Sequence, residues 1–186
     1  TPLGLGKPNR VLNRIYDFFK EEKSLKLDIY TALSLDVPTP KPGLEARFVE
    51  PFAQKFFGPD YPRLHYLMDL HEGKMPDNIH VYEFYLQAGR FLGNPKAQKD
   101  YISVNYTHVV ANLLHKGVQV IVQLVAKGQG DTYSLSSNPD LTLDLIEGLR
   151  QRKTPYFFLA VVHPDLPFIG GEASVKEDFF SAVLSS

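Results

Sequence analysis

The chain has 186 residues, 20 basic against 21 acidic side chains, and neither cysteine nor tryptophan. At this length a domain buries roughly 70% of the surface its unfolded form exposes, so no disulfide or structural metal is needed to hold a core. Zero cysteine removes thiolate catalysis and zinc-thiolate sites, and a net charge of −1 lacks the accumulated Lys and Arg that hold nucleic acid or anionic membrane. The richest apolar stretch, Val118 to Ala126, is interrupted by Gln119 and Gln123 and falls short of the roughly 20 residues of a membrane span. The expectation is a cytoplasmic protein with no nucleic-acid partner, no membrane partner and no metal. Its opening at Thr1, inside a glycine-rich turn, reads as a cut from something longer.

In chain order, Asn9 to Lys23 carries Val11, Leu12, Ile15, Phe18 and Phe19 at helical spacing, with Pro8 at the first turn. Lys26 to Leu35 reads as a strand and Val37 to Gly43 as a proline-rich loop. Leu44 to Phe57 is helical, with a break or a kink expected near Glu50 because Pro51 follows. Arg63 to His71 is a short helix ending at Gly73, Asn78 to Leu86 a strand, and Gly89 to Gln98 a loop. Tyr101 to Val104 reads as a short strand, Thr107 to His115 as a helix stopped by Gly117, and Val118 to Ala126 as the clearest strand. Leu141 to Arg152 is a helix with Asn138, Pro139 and Asp140 as its start signal, Tyr156 to Val162 a buried strand, and Val175 to Leu184 a final helix. Alternating strands and helices predict an α/β fold: an open, largely parallel sheet flanked by helices, as one domain over residues 1–186.

In such sheets ligands bind outside the carboxyl ends of the strands, so the turns there hold the candidate site. In Gly4-Leu5-Gly6-Lys7-Pro8-Asn9 the glycines let backbone approach a ligand, and the following helix start favours an anion. It is neither a Walker A loop nor a dinucleotide fingerprint, and an ordinary helix start explains it equally well. In Ser103 to His108, Asn105 or Thr107 can cap the next helix, and His108 can donate to an oxyanion or satisfy a neighbouring carbonyl. Gly128 to Asp140 reads as a polar pocket wall or as a turn plus an N-cap. His163 to Glu172, with paired Gly170 and Gly171, fixes an unusual loop path that reads first as a functional loop and second as a rigid crossover. The histidines have no metal-ligand spacing, and no GxSxG elbow marks a hydrolase serine.

The segments GLGKPNRVLNRIY, TALSL, GLEARFVEPF, MPDNIHVYEFYLQAGRFLGN, YISVNYTHV, GVQVIVQLVA, YSLSSNPDLTLDL and LPFIGGEASV together resemble the first catalytic domain of the acetyl-CoA hydrolase/acetyl-CoA transferase family. The resemblance runs from Pro2 to about Leu184. It implies a CoA-transferase-like domain, normally followed by a second domain of related fold, that moves CoA between a short acyl-CoA and a small carboxylate or water. It also implies no tightly bound cofactor, coenzyme A entering as substrate. The family's nucleophile is a second-domain glutamate that attacks the thioester, forms an acyl-glutamyl anhydride and then a glutamyl-CoA thioester. Glu83 and Glu172 match first-domain positions instead. On this resemblance Gly4, Gly6, Lys7, Asn9, Asn105, His108, Gly170 and Gly171 line one wall of the cleft, with Gly6, Gly171 or the Asn105 amide aimed at the developing oxyanion.

Two other readings stay open at this stage. One is a non-catalytic module that binds CoA or a carboxylate. The other is a sugar-phosphate isomerase with phosphate on Lys7 and the Gly4 to Gly6 turn, for which Asp17, Asp28 and Asp36 are poorly placed as acid/base groups. The phenylalanines between Phe48 and Phe57 leave room for a homo-oligomeric interface.

Overall fold

The computed structural model describes residues 6–137 and 139–185. The first helix, α1 (Asn9–Glu21), buries Leu12, Asn13 and Tyr16, the stripe set by its 3.6-residue period, with Pro8 just ahead of it. Strand β1 (Leu27–Thr31) pairs in parallel with β2 (Ile79–Glu83), with Ile29 opposite Val81 and Thr31 opposite Glu83. Between them run α2 (Leu44–Phe56) and α3 (His65–Glu72), the latter closed by Gly73 at φ 67°, a left-handed cap that glycine tolerates. Helix α2 carries Pro51 inside it without a break, which leaves a kink as the form the proline's effect can take. No residue of α2 is buried, so the helix lies at the surface, where water can meet a carbonyl that loses its partner to the proline ring.

The second half is built around β3 (Val120–Lys127), which follows α4 (Pro95–Asp100) and α5 (Val109–Lys116). Strand β4 (Thr132–Ser134) turns back antiparallel on β3. Helix α6 (Thr142–Gln151) leads to β5 (Phe157–Val162), parallel to β3. The chain closes with β6 (Ser174–Lys176) and β7 (Ala182–Ser185). The sheet order is β6-β4-β3-β5-β7, with β3, β5 and β7 parallel and β4 antiparallel to both neighbours. The fold is α/β with an open, mixed but mainly parallel arrangement of strands. Two apolar clusters hold it: Leu12, Tyr16, Leu67 and Ile79 under the β1–β2 pair, and Ile121, Val125, Leu145 and Phe158 under the larger sheet.

Three expectations are corrected. Gly89 to Gln98 is not all loop, because the Asn94 side chain accepts from the Ala97 N–H and Pro95 opens α4. Tyr101 to Val104 forms no strand. Its Ile102 N–H bonds to the Glu83 carbonyl, which hangs the segment off the end of β2 without a ladder. Val175 to Leu184 is not a helix. Val175 pairs with Tyr133, Ala182 pairs with Leu159, and Phe179 and Phe180 both pack edge-on against Phe158 between these pairings.

Candidate functional site

Parallel pairing of β1 and β2 puts Thr31 and Glu83 side by side at the carboxyl end, both pointing inward. Glu83 is only 3% exposed, and its carboxylate accepts the backbone N–H and the hydroxyl of Ser34, just beyond β1. The Ser34 hydroxyl also meets the buried Tyr66 hydroxyl at 2.6 Å. With Ser34 donating to Glu83, Tyr66 donates to Ser34, giving a relay of hydroxyls ending on a carboxylate. Burial pushes the Glu83 carboxyl above its ordinary range, opposed by the Ser34 hydrogen bonds and the charges of Lys7 and Arg90.

Lys7 is 4% exposed, and its ammonium donates to the carbonyls of Ala32 and Leu33, with Leu33 held at φ 44°. Burial lowers its pKa to about 8, opposed by the charges of Glu83 and Asp140. Lys7 therefore clamps the turn after β1 from within. The next residues of that turn are fixed by a second clamp. Asp36 accepts a two-pronged contact from Arg63 at 2.7 and 2.7 Å, a bond from Arg90 at 3.1 Å and the Val37 N–H. Burial pushes the Asp36 carboxyl up, but these donors outweigh it and hold the group below its usual range. Arg90 in turn donates from Nε to His71 Nε2, which makes that nitrogen an acceptor. Burial and the Arg90 charge both lower the His71 pKa accordingly.

Beside these clamps lies a cleft of about 560 Å³ between β1 and the start of β3, lined by Leu12, Ile15, Leu113, Leu145, Thr142 and Asp140 among others. Asp140, at φ 45°, accepts from the Tyr106 hydroxyl. The N-cap position of α6 is Leu141, without a side-chain bond. Asn138, the other expected start signal, lies outside the described residues.

The expected site residues divide. Gly6 and Lys7 are buried, and Lys7 feels both Glu83 and Asp140, which brings the Gly6–Lys7 turn to the Tyr106 turn through Asp140. Asn9 is occupied with the Pro62 carbonyl and the Tyr61 hydroxyl. Asn105 is exposed and accepts the Thr107 N–H at 3.0 Å through its side-chain oxygen, which leaves its amide N–H₂ as the outward group. His108 is exposed beside it. Gly170 and Gly171 are exposed. Their loop is tied to the β4 side, where Ser134 Oγ bonds the Ile169 carbonyl and N–H, and Ser136 Oγ bonds the Pro167 carbonyl. Of the expected residues, Gly6, Lys7, Asn9, Asn105, His108, Gly170 and Gly171 are not among those that line the 560 Å³ cleft. Gly4 lies outside the described residues. Ser34, Tyr66 and the Asp36–Arg63–Arg90 clamp were not anticipated. Their one sequence signal is the polar pair Ser34 and Asp36 directly after a β-forming run.

Among the described residues no group of His, Asp and Glu is arranged to hold a metal ion, and no helix is long and apolar enough to cross a membrane. No protein-family model matches the chain, and no curated protein matches it. Among solved structures, the chain is similar to a 4-hydroxybutyrate CoA-transferase from Porphyromonas gingivalis, with 15% sequence identity and a TM-score of 0.40. The similarity covers 90% of this chain and 37% of that one, so this chain spans well under half of that protein's length.

Proposed function

We propose that the chain forms the first domain of a CoA transferase or acyl-CoA hydrolase. It provides one wall of a cleft in which CoA moves between a short acyl-CoA and a carboxylate or water, the nucleophilic glutamate belonging to a second domain. The supporting observation is convergence. Segments that carry the sequence resemblance but lie far apart in the chain, around Lys7, Ser34 and Glu83, meet in one buried polar cluster at the carboxyl ends of β1 and β2. Tyr106 and Asp140, from two further such segments, meet beside it. The Lys7 ammonium is spent on the Ala32 and Leu33 carbonyls, which argues against a phosphate resting on it as the isomerase reading requires.

In this reading Glu83 is a positioning residue. It holds Ser34, and with Lys7 it sets the path of the turn after β1, while the Asn105 amide is the donor left for a developing oxyanion. The test is CoA exchange by the natural polypeptide that contains this chain, with acetyl-CoA and a panel of short carboxylates followed by chromatography. Formation of a new acyl-CoA, or steady release of free CoA, is the expected result. Binding of acyl-CoA with neither reaction would replace this reading with the binding-module one.

A further inference from the structure

Helix α2 keeps small side chains partly covered and turns its large ones to the outside. Ala46, Val49 and Ala53 are half-buried, whereas Leu44, Phe48, Phe52 and Phe56 are 83%, 76%, 42% and 65% exposed. At a spacing of four residues these four form one ridge along the helix, with the Phe52 and Phe56 ring centroids 4.6 Å apart. With about 3.6 residues per turn, Glu45 and Lys55 flank the ridge on either side, one near each end, and Glu50 falls on the opposite face.

The ridge has the same pattern read from either end. Turning a second copy of α2 about a two-fold axis at the level of Glu50 sets Leu44 level with Phe56 of the second copy, Phe48 with its Phe52 and Glu45 with its Lys55. Each end of the pair then carries one acid and one base, the self-complementarity that a two-fold contact needs, while the Glu50 carboxylates stay on the outer faces. An anionic membrane is a poorer match. Arg47 and Lys55 are balanced by Glu45 and Glu50, so no basic polar face draws the helix onto lipid. The area also suffices. At about 200 Å² for a Phe side chain and slightly less for Leu, the exposed fractions amount to about 500 Å² per copy and about 1,000 Å² for the pair, the lower bound for a specific interface.

We propose that two copies of the chain dimerise through α2, antiparallel about a two-fold axis, and bury the ridge of Leu44, Phe48, Phe52 and Phe56. The apolar ridge supplies the affinity, and the Glu45–Lys55 pairs fix the direction of the helices. The inference is independent of the CoA chemistry.

The test is sedimentation velocity on the 186-residue chain and on the natural polypeptide that contains it. The expected result is a reversible dimer at about 100 μM, as suits an interface of minimal size. Phe48→Glu abolishes it and leaves the circular dichroism of the folded chain unchanged, since Phe48 is exposed. Glu45→Lys and Lys55→Glu each put like charges at both ends of the pair and weaken association at least about tenfold. An equimolar mixture of these two variants recovers the original affinity, because each then meets the opposite charge at both ends. Monomer at every concentration, with or without binding to anionic vesicles, would overturn the proposal. So would a dimer of the chain indifferent to Phe48→Glu, or a mixture no tighter than its components. Recovery on mixing in the chain but not in the natural polypeptide would overturn it too, since the rest of that polypeptide would then cover α2.

Discussion

Glu83, the last inward residue of β2, receives both the N–H and the hydroxyl of Ser34, the residue that turns the chain away from the end of β1. A carboxylate on one strand thereby shapes the loop leaving its neighbour. Replacing Ser34 with Ala removes the hydroxyl bond to Glu83 and strands the Tyr66 hydroxyl. The expected loss is about 2 kcal/mol of unfolding free energy, mostly the cost of buried polar groups left unmatched. Urea denaturation of Ser34→Ala checks it, and a change within measurement error would dismiss the relay.

Lys7 gives a pH signature of known sign. Its pKa is 10.5 in a free chain and about 8 in the folded protein. Between these values the unfolded state holds more protons than the folded one, so stability from this group rises with pH from about 8 to 10.5. The full gain is at most roughly 3 kcal/mol. In Lys7→Met that rise disappears. Unfolding free energies at several pH values across the window, compared between the two proteins, make the test.

Glu83 acts in the opposite sense. Its folded pKa lies above 4.5, so stability from this group is highest below that value and declines as pH rises through the raised folded value. In Glu83→Gln the decline is absent, while the Ser34 hydroxyl keeps an acceptor. An unchanged pH profile in this variant would exclude Glu83 as its source.

The Asp36 clamp governs acid sensitivity. The folded pKa lies below 3.8, so its contribution is fully present above that value and is lost as pH falls through the depressed one. Asp36→Ala leaves the Arg63 and Arg90 guanidinium groups facing each other without their counter-charge. The expected cost is about 2 kcal/mol at neutral pH, below the range for a fully buried ion pair because the Arg63 side chain is partly exposed. Thermal melts at neutral and acid pH separate this from general destabilisation, because only the wild-type protein has the clamp to lose in acid.

Asn105 separates structure from chemistry. Its side-chain oxygen caps the turn at Thr107, so Asn105→Ala costs about 1 kcal/mol of stability. As the oxyanion donor it would also cost a hundredfold or more in turnover of the natural polypeptide. Asn105→Asp preserves the cap and removes the amide donor. Low turnover with near-normal stability in that variant is the expected pattern.

Local pattern made much of the fold readable in advance. The stripe of Leu12 and Tyr16 in α1, the β-branched run of β3 and the apolar run of β5 each carry their own period, and Gly73 and Gly117 mark helix ends through left-handed φ values. The last segment was misread because Val175, Phe179, Phe180 and Val183 are apolar at spacings a helix and short strands share. Only pairing with Tyr133 and Ala160, far away in sequence, decides between them. The clusters around Glu83 and Asp36 were hidden for the same reason. Ser34, Tyr66 and Glu83 are unremarkable singly, and become a site only when parallel pairing brings the strand ends together.

The proposed role is tested by mapping the covalent intermediate. The natural polypeptide is incubated with acetyl-CoA, treated with borohydride to reduce a glutamyl thioester, and sequenced by mass spectrometry. The account predicts one modified glutamate outside residues 1–186, with Glu83 and Glu172 untouched. A modification on Glu83 or Glu172, or CoA transfer with no trapped glutamate anywhere, would contradict it.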